Sequence, residues 1–421
     1  MRPYRRIVMT TLKMPLSCLL YALTVLAILT TSCSQQGLVT ERYTEDVYRV
    51  PKLLPDEPHT KNPTFILYGD IRPGYRLQEK FLHKDNWYTK KMLLFPLYEL
   101  YVFGNGIAGL YEYLRNDSGF GYGEREMVRQ AVYNEAVWSK ADFIVNTGDF
   151  VIDGRYPEHW LRFVTEHKTE HRLLQSIPYL PVIGSHEFTN DSTYGMQNYQ
   201  AVFAYPGFYT VEYKDTELFF LNSNIIIDNK QLIADDTQDE LFGEWFVSEN
   251  GTNPSWLEKK LAASKKRFKI VVLHNPLVSF SKHHHDWLSD NNGRNLREKR
   301  KRLIGLLQHY GVQIVFSGHE HLYEHSVLRY EKSTGMSAGE IHFIISGGGG
   351  VPLRDTSDTD TCKKYLEHFR NEGFEVELVT YEKKYHYCRV SIDNEQISID
   401  VYEVTENQDN PLNELDKIVI P

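Results

Sequence analysis

The chain has 421 residues and carries 47 Lys and Arg against 56 Asp and Glu, a formal net charge of −9 at pH 7. This length allows one large domain or two ordinary ones with a sizeable core. The acidic balance argues against a nucleic-acid-binding protein, because such proteins neutralise phosphates with an excess of basic side chains.

The first 32 residues have the pattern of a secretory signal. They contain four basic residues and no acidic one, and an apolar run at 16–29 ends in small residues directly before Cys33. That run is shorter than the roughly 20 residues that cross a bilayer. The pattern predicts cleavage of residues 1–32 and lipidation of Cys33. The protein is then an extracytoplasmic lipoprotein, anchored to a membrane in the periplasm or outer membrane; an uncleaved anchor helix is the alternative.

The remainder divides into a tether, a large domain and a tail. Residues 33–60 are polar and contain three prolines, which is typical of a linker. Residues 61–405 carry the strand and helix patterns of a folded domain, and 406–421 form a C-terminal tail. Within the domain, 84–123 is predicted to be a lid-like insertion, because its Leu-, Phe- and Tyr-rich segment at 92–114 is interrupted by glycines, a proline and acidic residues. A surface that touches lipid and an insertion packed on the core are the alternatives.

Buried strands alternate with helices along this domain. The helical patterns cover 124–140, about 158–176, 256–264 and 296–310, and two hairpins are predicted at 208–221 and 385–403. Five short apolar runs read as buried strands, at 64–68, 141–147, 179–183, 268–273 and 312–316.

Each of these five strands is followed by carboxylate or histidine side chains. In α/β folds, sites assemble at the carboxyl ends of the strands, so these side chains are expected to converge. Imidazole and carboxylate are common ligands of divalent metals, which indicates a metal-assisted hydrolase. The residues at the strand ends are Asp70, Asp149, His186, His274, His319 and His321.

Five sequence blocks carry a family resemblance. They are Gly69-Asp70, Gly148-Asp149, Gly184-Ser185-His186-Glu187, Val272-Leu273-His274 and Gly318-His319-Glu320-His321. With these blocks, the chain resembles the calcineurin-like metallophosphoesterases, and within them the purple-acid-phosphatase-like branch. The resemblance implies an α/β fold: a four-layer α/β/β/α sandwich with insertions.

The resemblance also implies two divalent or trivalent metal ions, drawn from Mn, Fe, Zn and Mg. Asp149 would bridge them, with Asp70 and His321 on the first ion and His274 and His319 on the second. A metal-bound hydroxide would then attack the phosphorus of a phosphate ester. The expected substrate is a phosphate-ester small molecule or a lipid headgroup.

The remaining site residues follow from the same resemblance. His186 would assist the leaving oxygen, and His283 and His284 would contact the phosphate. Two positions depart from the family pattern: Arg72 stands where many members have histidine, and Ser185 stands where they have asparagine. Arg72 can bind a phosphate oxygen but not a metal, and the serine hydroxyl is a weaker ligand for the second ion. No tyrosine occupies the family's ligand position, where Ile152 stands, so a colourless protein is expected.

Other readings of the sequence remain open. The two departures favour a surface lipoprotein that has lost catalysis and serves as a binding module. His321-Leu322-Tyr323-Glu324-His325 matches an inverted zinc-protease motif, which requires a helix. The glycine run 347–350 is not a phosphate loop and is predicted to let backbone pass close to the metal site.

Two further features have ordinary structural explanations. The basic residues at 297–302 lie on an amphipathic helix and are interpreted as its solvated face. Cys362 and Cys388 remain after the signal and lipid cysteines are set aside, and sequence leaves open whether they form a disulfide.

Overall fold

Thirteen strands and six helices build the part of the chain that the structure, a computed structural model, describes. That part comprises residues 54–72, 126–164 except 158 and 162, 177–188, 192–227, 235–248, 253–288, 295–332, 337–405 except 394, and 413–421. Every described residue belongs to one compact unit. The predicted signal, most of the tether and the lid-like insertion lie outside the described residues.

The elements follow the predicted order closely. The helices are α1 (Glu126–Trp138), α2 (Ser192–Phe203), α3 (Asp235–Trp245), α4 (Trp256–Ala263), α5 (Leu296–His309) and α6 (Thr359–Asn371). The strands are β1 (Thr64–Tyr68), β2 (Phe143–Asn146), β3 (Tyr179–Pro181), β4 (Tyr209–Tyr213), β5 (Thr216–Leu221), β6 (Phe268–Leu273), β7 (Ile314–Ser317), β8 (Tyr323–Tyr330), β9 (Gly339–Ser346), β10 (Glu375–Glu382), β11 (His386–Ile392), β12 (Ile397–Glu403) and β13 (Asn413–Ile420).

The strands form two mixed sheets. The first has six strands in the order β13-β12-β11-β1-β2-β3, and the second has seven in the order β10-β8-β9-β7-β6-β5-β4. In the first sheet β1, β2 and β3 are parallel, with Leu67 opposite Val145. In the second sheet β5, β6 and β7 are parallel, with Phe219 opposite Val271. Each sheet therefore has several strands whose carboxyl ends lie along one edge.

Alternation along the strands defines the layers. On β1, Phe65 and Leu67 pack in a core between the two sheets, whereas Ile66 and Tyr68 pack in a second core with residues of α1 and α2. Strand β5 repeats this pattern on the other sheet, where alternate residues join a third core with the helices α3 to α6. Successive strand residues face opposite sides of a sheet, so three cores require four layers. The four-layer α/β/β/α sandwich is confirmed.

Local sequence explains where several helices begin. Ser255 accepts a hydrogen bond from the backbone N–H of Glu258, and the Glu258 side chain accepts one from the backbone N–H of Ser255. This reciprocal capping box starts α4. At the start of α6, the Asp358 side chain accepts a hydrogen bond from the backbone N–H of Thr361.

The structure corrects two expectations and answers one question that the sequence left open. Arg300 and Lys299 are buried rather than solvated, and Arg300 donates to Glu372 at 2.5 Å. The guanidinium of Arg300 lies over the ring of Phe369 on α6, and the adjacent Glu372 compensates its charge. Cys362 and Cys388 are both free thiols. Part of the expected C-terminal tail is strand β13, which pairs with β12 and buries Ile418 and Ile420.

The zinc-protease reading is also wrong. Residues 323–330 form strand β8 rather than a helix, so His321 and His325 do not share a helical face. His325 instead bonds Asp416 and His342 on neighbouring strands. None of the helices in the described part of the chain is both long enough and apolar enough to cross a membrane.

Candidate metal site

The predicted site residues follow the ends of five strands. Asp70 follows β1, Asp149 follows β2, and Ser185 and His186 follow β3 on the first sheet. On the second sheet, His274 directly follows β6, and His319 and His321 follow β7. The structure brings these side chains together at one end of the sandwich, where Asp149 contacts groups from both sheets. The sequence prediction that strand ends converge is confirmed.

The backbone at this edge is held in an unusual conformation. Four residues of the site have φ in the left-handed region: Asp70 at 58°, Arg72 at 36°, Asp149 at 58° and His319 at 70°. Such angles are uncommon for residues other than glycine and are concentrated at functional sites. They turn the chain sharply as it leaves each strand.

Two glycines make room for these turns. A Cβ on Gly184 would lie 2.1 Å from the backbone nitrogen of Asp149 and 2.4 Å from its Oδ1. A Cβ on Gly347 would lie 2.0 Å from the carbonyl oxygen of Glu320 and 3.0 Å from Oδ2 of Asp70. The glycine run at 347–350 therefore passes close to the site, as the sequence indicated.

Three sets of three donors lie close enough together to be candidate metal sites. The two-histidine cluster consists of Asp149, His274 and His319, the two-aspartate cluster consists of Asp70, Asp149 and His321, and a third set consists of His283, Asp286 and His319. In each cluster the donor atoms lie within 4.8 Å of one another. Asp149 belongs to both clusters, which is the bridging position that the family resemblance implied.

The two-histidine cluster suits a cation because His274 presents a bare lone pair beside a carboxylate. Nε2 of His274 lies 3.2 Å from Oδ1 of Asp149 and 3.1 Å from Nδ1 of His319. Nδ1 of His274 donates to the carbonyl oxygen of Thr147 at 2.8 Å, so Nε2 presents a lone pair. Imidazole and carboxylate donors therefore meet in one space, an arrangement that a cation stabilises.

Burial favours the protonation states that bind metals. Desolvation lowers the pKa of His274, and it lowers the pKa of His319 to about 3. Burial opposes ionisation of Asp149, but His274, His186 and Arg72 outweigh it and hold its pKa well below the usual range. At neutral pH the cluster therefore offers neutral imidazoles and an ionised carboxylate.

The two-aspartate cluster has a different neighbour. Oδ1 of Asp70 lies 3.8 Å from Nε2 of His321, and Oδ2 accepts a bond from the backbone N–H of His319 at 2.9 Å. Nη2 of Arg72 lies 2.8 Å from the same Nε2 of His321. Burial and the charge of Asp149 together raise the pKa of Asp70 well above its usual value. A guanidinium thus lies among the donors expected to hold the first ion.

Ser185 and His186 both lie beside Asp149. The hydroxyl of Ser185 donates to Oδ1 of Asp149 at 3.3 Å, and the backbone N–H of His186 donates to the same oxygen at 3.0 Å. Nε2 of His186 lies 3.9 Å from Oδ2 of Asp149 and 2.5 Å from Nη1 of Arg72. The expected assisting histidine therefore faces Arg72.

His283 and His284 lie in different surroundings. His283 lies at the site, with its ring centroid 4.0 Å from that of His319. His284 is buried, stacks on Tyr365 and bonds His368, and desolvation lowers its pKa to about 3. The structure brings His283 to the candidate site but places His284 in the packing beneath it, so contact between His284 and a phosphate has no support in this geometry.

Sequence reasoning missed Asp286. Its Oδ2 lies 2.8 Å from Nδ1 of His283 and 3.5 Å from Nε2 of His319. A carboxylate behind a metal-ligating histidine fixes the ring's orientation and tautomer. The available signal was its place three residues after His283 in a 3-10 helix, Lys282–Trp287.

Sequence reasoning also missed the structural role of Glu187. Its buried carboxylate accepts four backbone N–H bonds of 2.8 to 3.0 Å, from Asp149, Phe150, Val151 and Gly184. It therefore joins the loop after β2 to the loop after β3. Burial and nearby Asp149 raise its pKa to about 8. Its position directly after His186 was the signal that could have identified it.

The chain is similar in sequence to a known family over the segment that contains most of these residues. Residues 116–323 match the family model described as calcineurin-like phosphoesterase. This segment, just under half of the chain, is similar to the calcineurin-like phosphoesterases. The matched segment includes Asp149, His186, His274, His319 and His321, and it begins after Asp70 and Arg72.

Individual relatives of this chain are acid phosphatases. Purple acid phosphatase 17 of Arabidopsis thaliana is 24% identical over 255 residues, a match that covers 55% of this chain and 65% of that protein. Tartrate-resistant acid phosphatase type 5 of Rattus norvegicus is 27% identical over 222 residues, covering 50% of this chain and 61% of the relative. The chain thus spans less than two thirds of the length of these relatives.

A solved structure supports the fold. The structure of a purple acid phosphatase from yellow lupin (Lupinus luteus) seeds superimposes with a TM-score of 0.54 at 13% sequence identity. The superposition covers 87% of this chain and 55% of the other. It agrees with the two-sheet architecture of the metallophosphoesterase fold.

Proposed function

We propose that this protein hydrolyses phosphoric esters with the help of a cation held by the two-histidine cluster. The observation that carries the proposal is the convergence of Asp149, His274 and His319 at buried strand ends. Two imidazole nitrogens and a carboxylate oxygen lie within 4.8 Å there. The match to the phosphoesterase family model and the similarity to acid phosphatases support the same reaction.

A bound cation supplies Lewis acidity, which polarises a phosphoryl oxygen and makes a water easier to deprotonate. The protein's own residues prepare this chemistry. Asp149 and the two histidines hold the cation, and Asp286 orients His319 from behind. Arg72, whose side chain is 15% exposed, offers a fork of N–H donors that matches phosphate oxygens.

His283 and His186 occupy the flanks of the proposed ester site. The Nδ1 of His283 bonds Asp286, while its Nε2 has no hydrogen-bond partner among the described residues. His186 donates from Nδ1 to the carbonyl oxygen of Ile152, so its Nε2 accepts from Arg72. In this arrangement His186 aims Arg72 toward the ester.

Turnover of an aryl phosphate by the metal-loaded protein tests the proposal. Activity is expected with at least one of Mn, Fe, Zn and Mg, and His319→Ala should lower kcat/KM by at least ~10²-fold. Loss of a carboxylate that bonds a metal ligand lowers metal affinity or activity about 10- to 100-fold, so loss of the ligand itself should lower it further. His309→Ala, which changes an exposed histidine on α5, is the matched control and should retain full activity.

The competing function is a binding module without catalysis. The contact between Arg72 and His321 favours it, because an occupied ligand atom weakens one cation site. A protein that binds metal at the two-histidine cluster but shows no turnover with any of the four metals, and no change in His319→Ala, would support the binding module and refute the hydrolase.

We also propose, from the N-terminal sequence, an extracytoplasmic lipoprotein anchored through Cys33. The basic, apolar and small-residue pattern before that cysteine supports the proposal. Metabolic labelling with a radioactive fatty acid should mark the wild type and not Cys33→Ala. Unlabelled wild-type protein would contradict the anchor.

A further inference from the structure

Arg72 lies where the first of two metal ions would be bound. Its Nη2 is 2.8 Å from Nε2 of His321, and its Nη1 contacts Nε2 of His186 at 2.5 Å. Its Nε is 3.9 Å from Oδ2 of Asp149. The guanidinium thus contacts two of the three residues of the two-aspartate cluster, together with His186.

Hydrogen bonds fix which ring nitrogens face Arg72. Nδ1 of His321 lies 3.0 Å from the carbonyl oxygen of Pro352, and Nδ1 of His186 contacts the carbonyl oxygen of Ile152. A carbonyl only accepts, so each Nδ1 carries the proton and each Nε2 presents a lone pair. A guanidinium has donors only, and two of its nitrogens point at these two lone pairs. The polarity of every contact is therefore satisfied.

A metal ion would compete with Arg72 for the same atom. A cation on His321 would lie about 2.0–2.2 Å from Nε2, along the lone pair that already accepts from Nη2. The guanidinium cannot yield by deprotonation, because arginine stays charged in proteins. Its fixed positive charge also repels a second cation at this distance. The donors of the two-aspartate cluster therefore do not fit a metal ion in this structure.

The backbone holds Arg72 in this position. The backbone N–H groups of Ile71 and Arg72 both donate to the carbonyl oxygen of Asp149, at 3.2 and 3.1 Å. Arg72 itself has φ of 36°, which orients its side chain back over Asp149. The side chain is mostly covered, so it lacks the rotational freedom of a surface arginine.

We propose that this protein binds a single metal ion, at the two-histidine cluster, and that the guanidinium of Arg72 permanently replaces the second. The proposal rests on the proposed function only for the identity of the cation site. Arg72 supplies positive charge and N–H donors where the first ion would otherwise supply charge and coordination. The expectation of two metals from the family resemblance is thereby replaced by one.

Metal content measured on the full chain tests the proposal without reference to activity. After equilibrium dialysis against Mn²⁺, elemental analysis should find one equivalent in the wild type, and electron paramagnetic resonance should show an uncoupled Mn²⁺ ion. Arg72→His removes the guanidinium and offers an imidazole, so it should take two equivalents and show a spin-coupled pair. Arg370→His, at an exposed position on α6, is the matched control and should keep one equivalent.

Two ligand variants keep the test decisive if Arg72→His does not fold. His321→Ala should still bind one equivalent, whereas His319→Ala should bind none. Two equivalents or a coupled pair in the wild type, or no bound metal at all, would overturn the proposal. One bound equivalent without phosphatase turnover would refute the proposed function and leave the single-ion site standing; two equivalents with turnover would do the reverse.

Discussion

Replacing Asp286 by asparagine tests whether this carboxylate holds His319 in its metal-binding orientation. Burial would raise the pKa of Asp286, but the hydrogen bond from His283 and the nearby ring of His319 outweigh it and hold the pKa far below the usual range. The side chain is therefore an anion at neutral pH. Asparagine keeps the shape but removes the charge, and its amide group can place a donor against the histidine N–H groups.

The expected loss follows from the two distances. Carboxylates behind metal-ligating histidines contribute about 10- to 100-fold to metal affinity. The contact to His319 is long, 3.5 Å, whereas the shorter bond of 2.8 Å goes to His283. We therefore expect the lower end, about a 10-fold weaker Kd for the cation, which corresponds to about 1.4 kcal/mol.

Competition for Zn²⁺ against a chromophoric chelator measures this loss directly. Asp360→Asn makes the same substitution at a side chain that is 85% exposed on α6, so its Kd should equal that of the wild type. An unchanged Kd in Asp286→Asn, or an equal change in both variants, would refute the reasoning that Asp286 acts through His319.

Three further predictions concern stability. Gly184→Ala places a Cβ 2.1 Å from the backbone of Asp149, so the free energy of unfolding should fall by about 1–3 kcal/mol in denaturant titrations, whereas a value equal to wild type would contradict this packing. Burial lowers the pKa of His386 from 6.5 to about 4. Because the unfolded chain then takes up a proton that the folded chain does not, the free energy of unfolding should fall by up to about 3 kcal/mol as pH falls from 6.5 to 4. His386→Phe should flatten that part of the pH profile, and an identical profile would count against it. Because Cys362 and Cys388 are free, Tm should be the same with and without reductant, and a drop on reduction would indicate a bond between them.

The parts of the fold that sequence predicted are those dictated by local pattern. A strand such as Phe268–Leu273 is a continuous apolar run and can be recognised without its neighbours. The residue after it, His274, then falls at the carboxyl end of a parallel strand, so convergence with Asp149 follows from topology. The hairpins at β4–β5 and β11–β12 were predicted for the same local reason.

What sequence did not predict depends on contacts between distant segments. Arg300 lies in a run of basic residues, a pattern typical of a solvated helix face. Its burial depends on Glu372, which directly follows α6 and lies beside it in the folded protein. Strand β13 is polar over much of its length and becomes recognisable only when paired with β12. Arg72 was seen as a departure from the family pattern, but its hydrogen bond to His321 joins residues 249 positions apart. No periodicity encodes such a contact.

The left-handed backbone at Asp70, Arg72, Asp149 and His319 has a consequence for engineering. Each such residue costs about 1–2 kcal/mol relative to a relaxed conformation, a cost that glycine largely avoids. A screen that rewards thermal stability alone would therefore favour glycine at these positions and remove the side chains that bind the cation and the guanidinium that accompanies it. Stabilising libraries for this protein should hold these four residues constant and draw their gains from the helices and sheet edges instead.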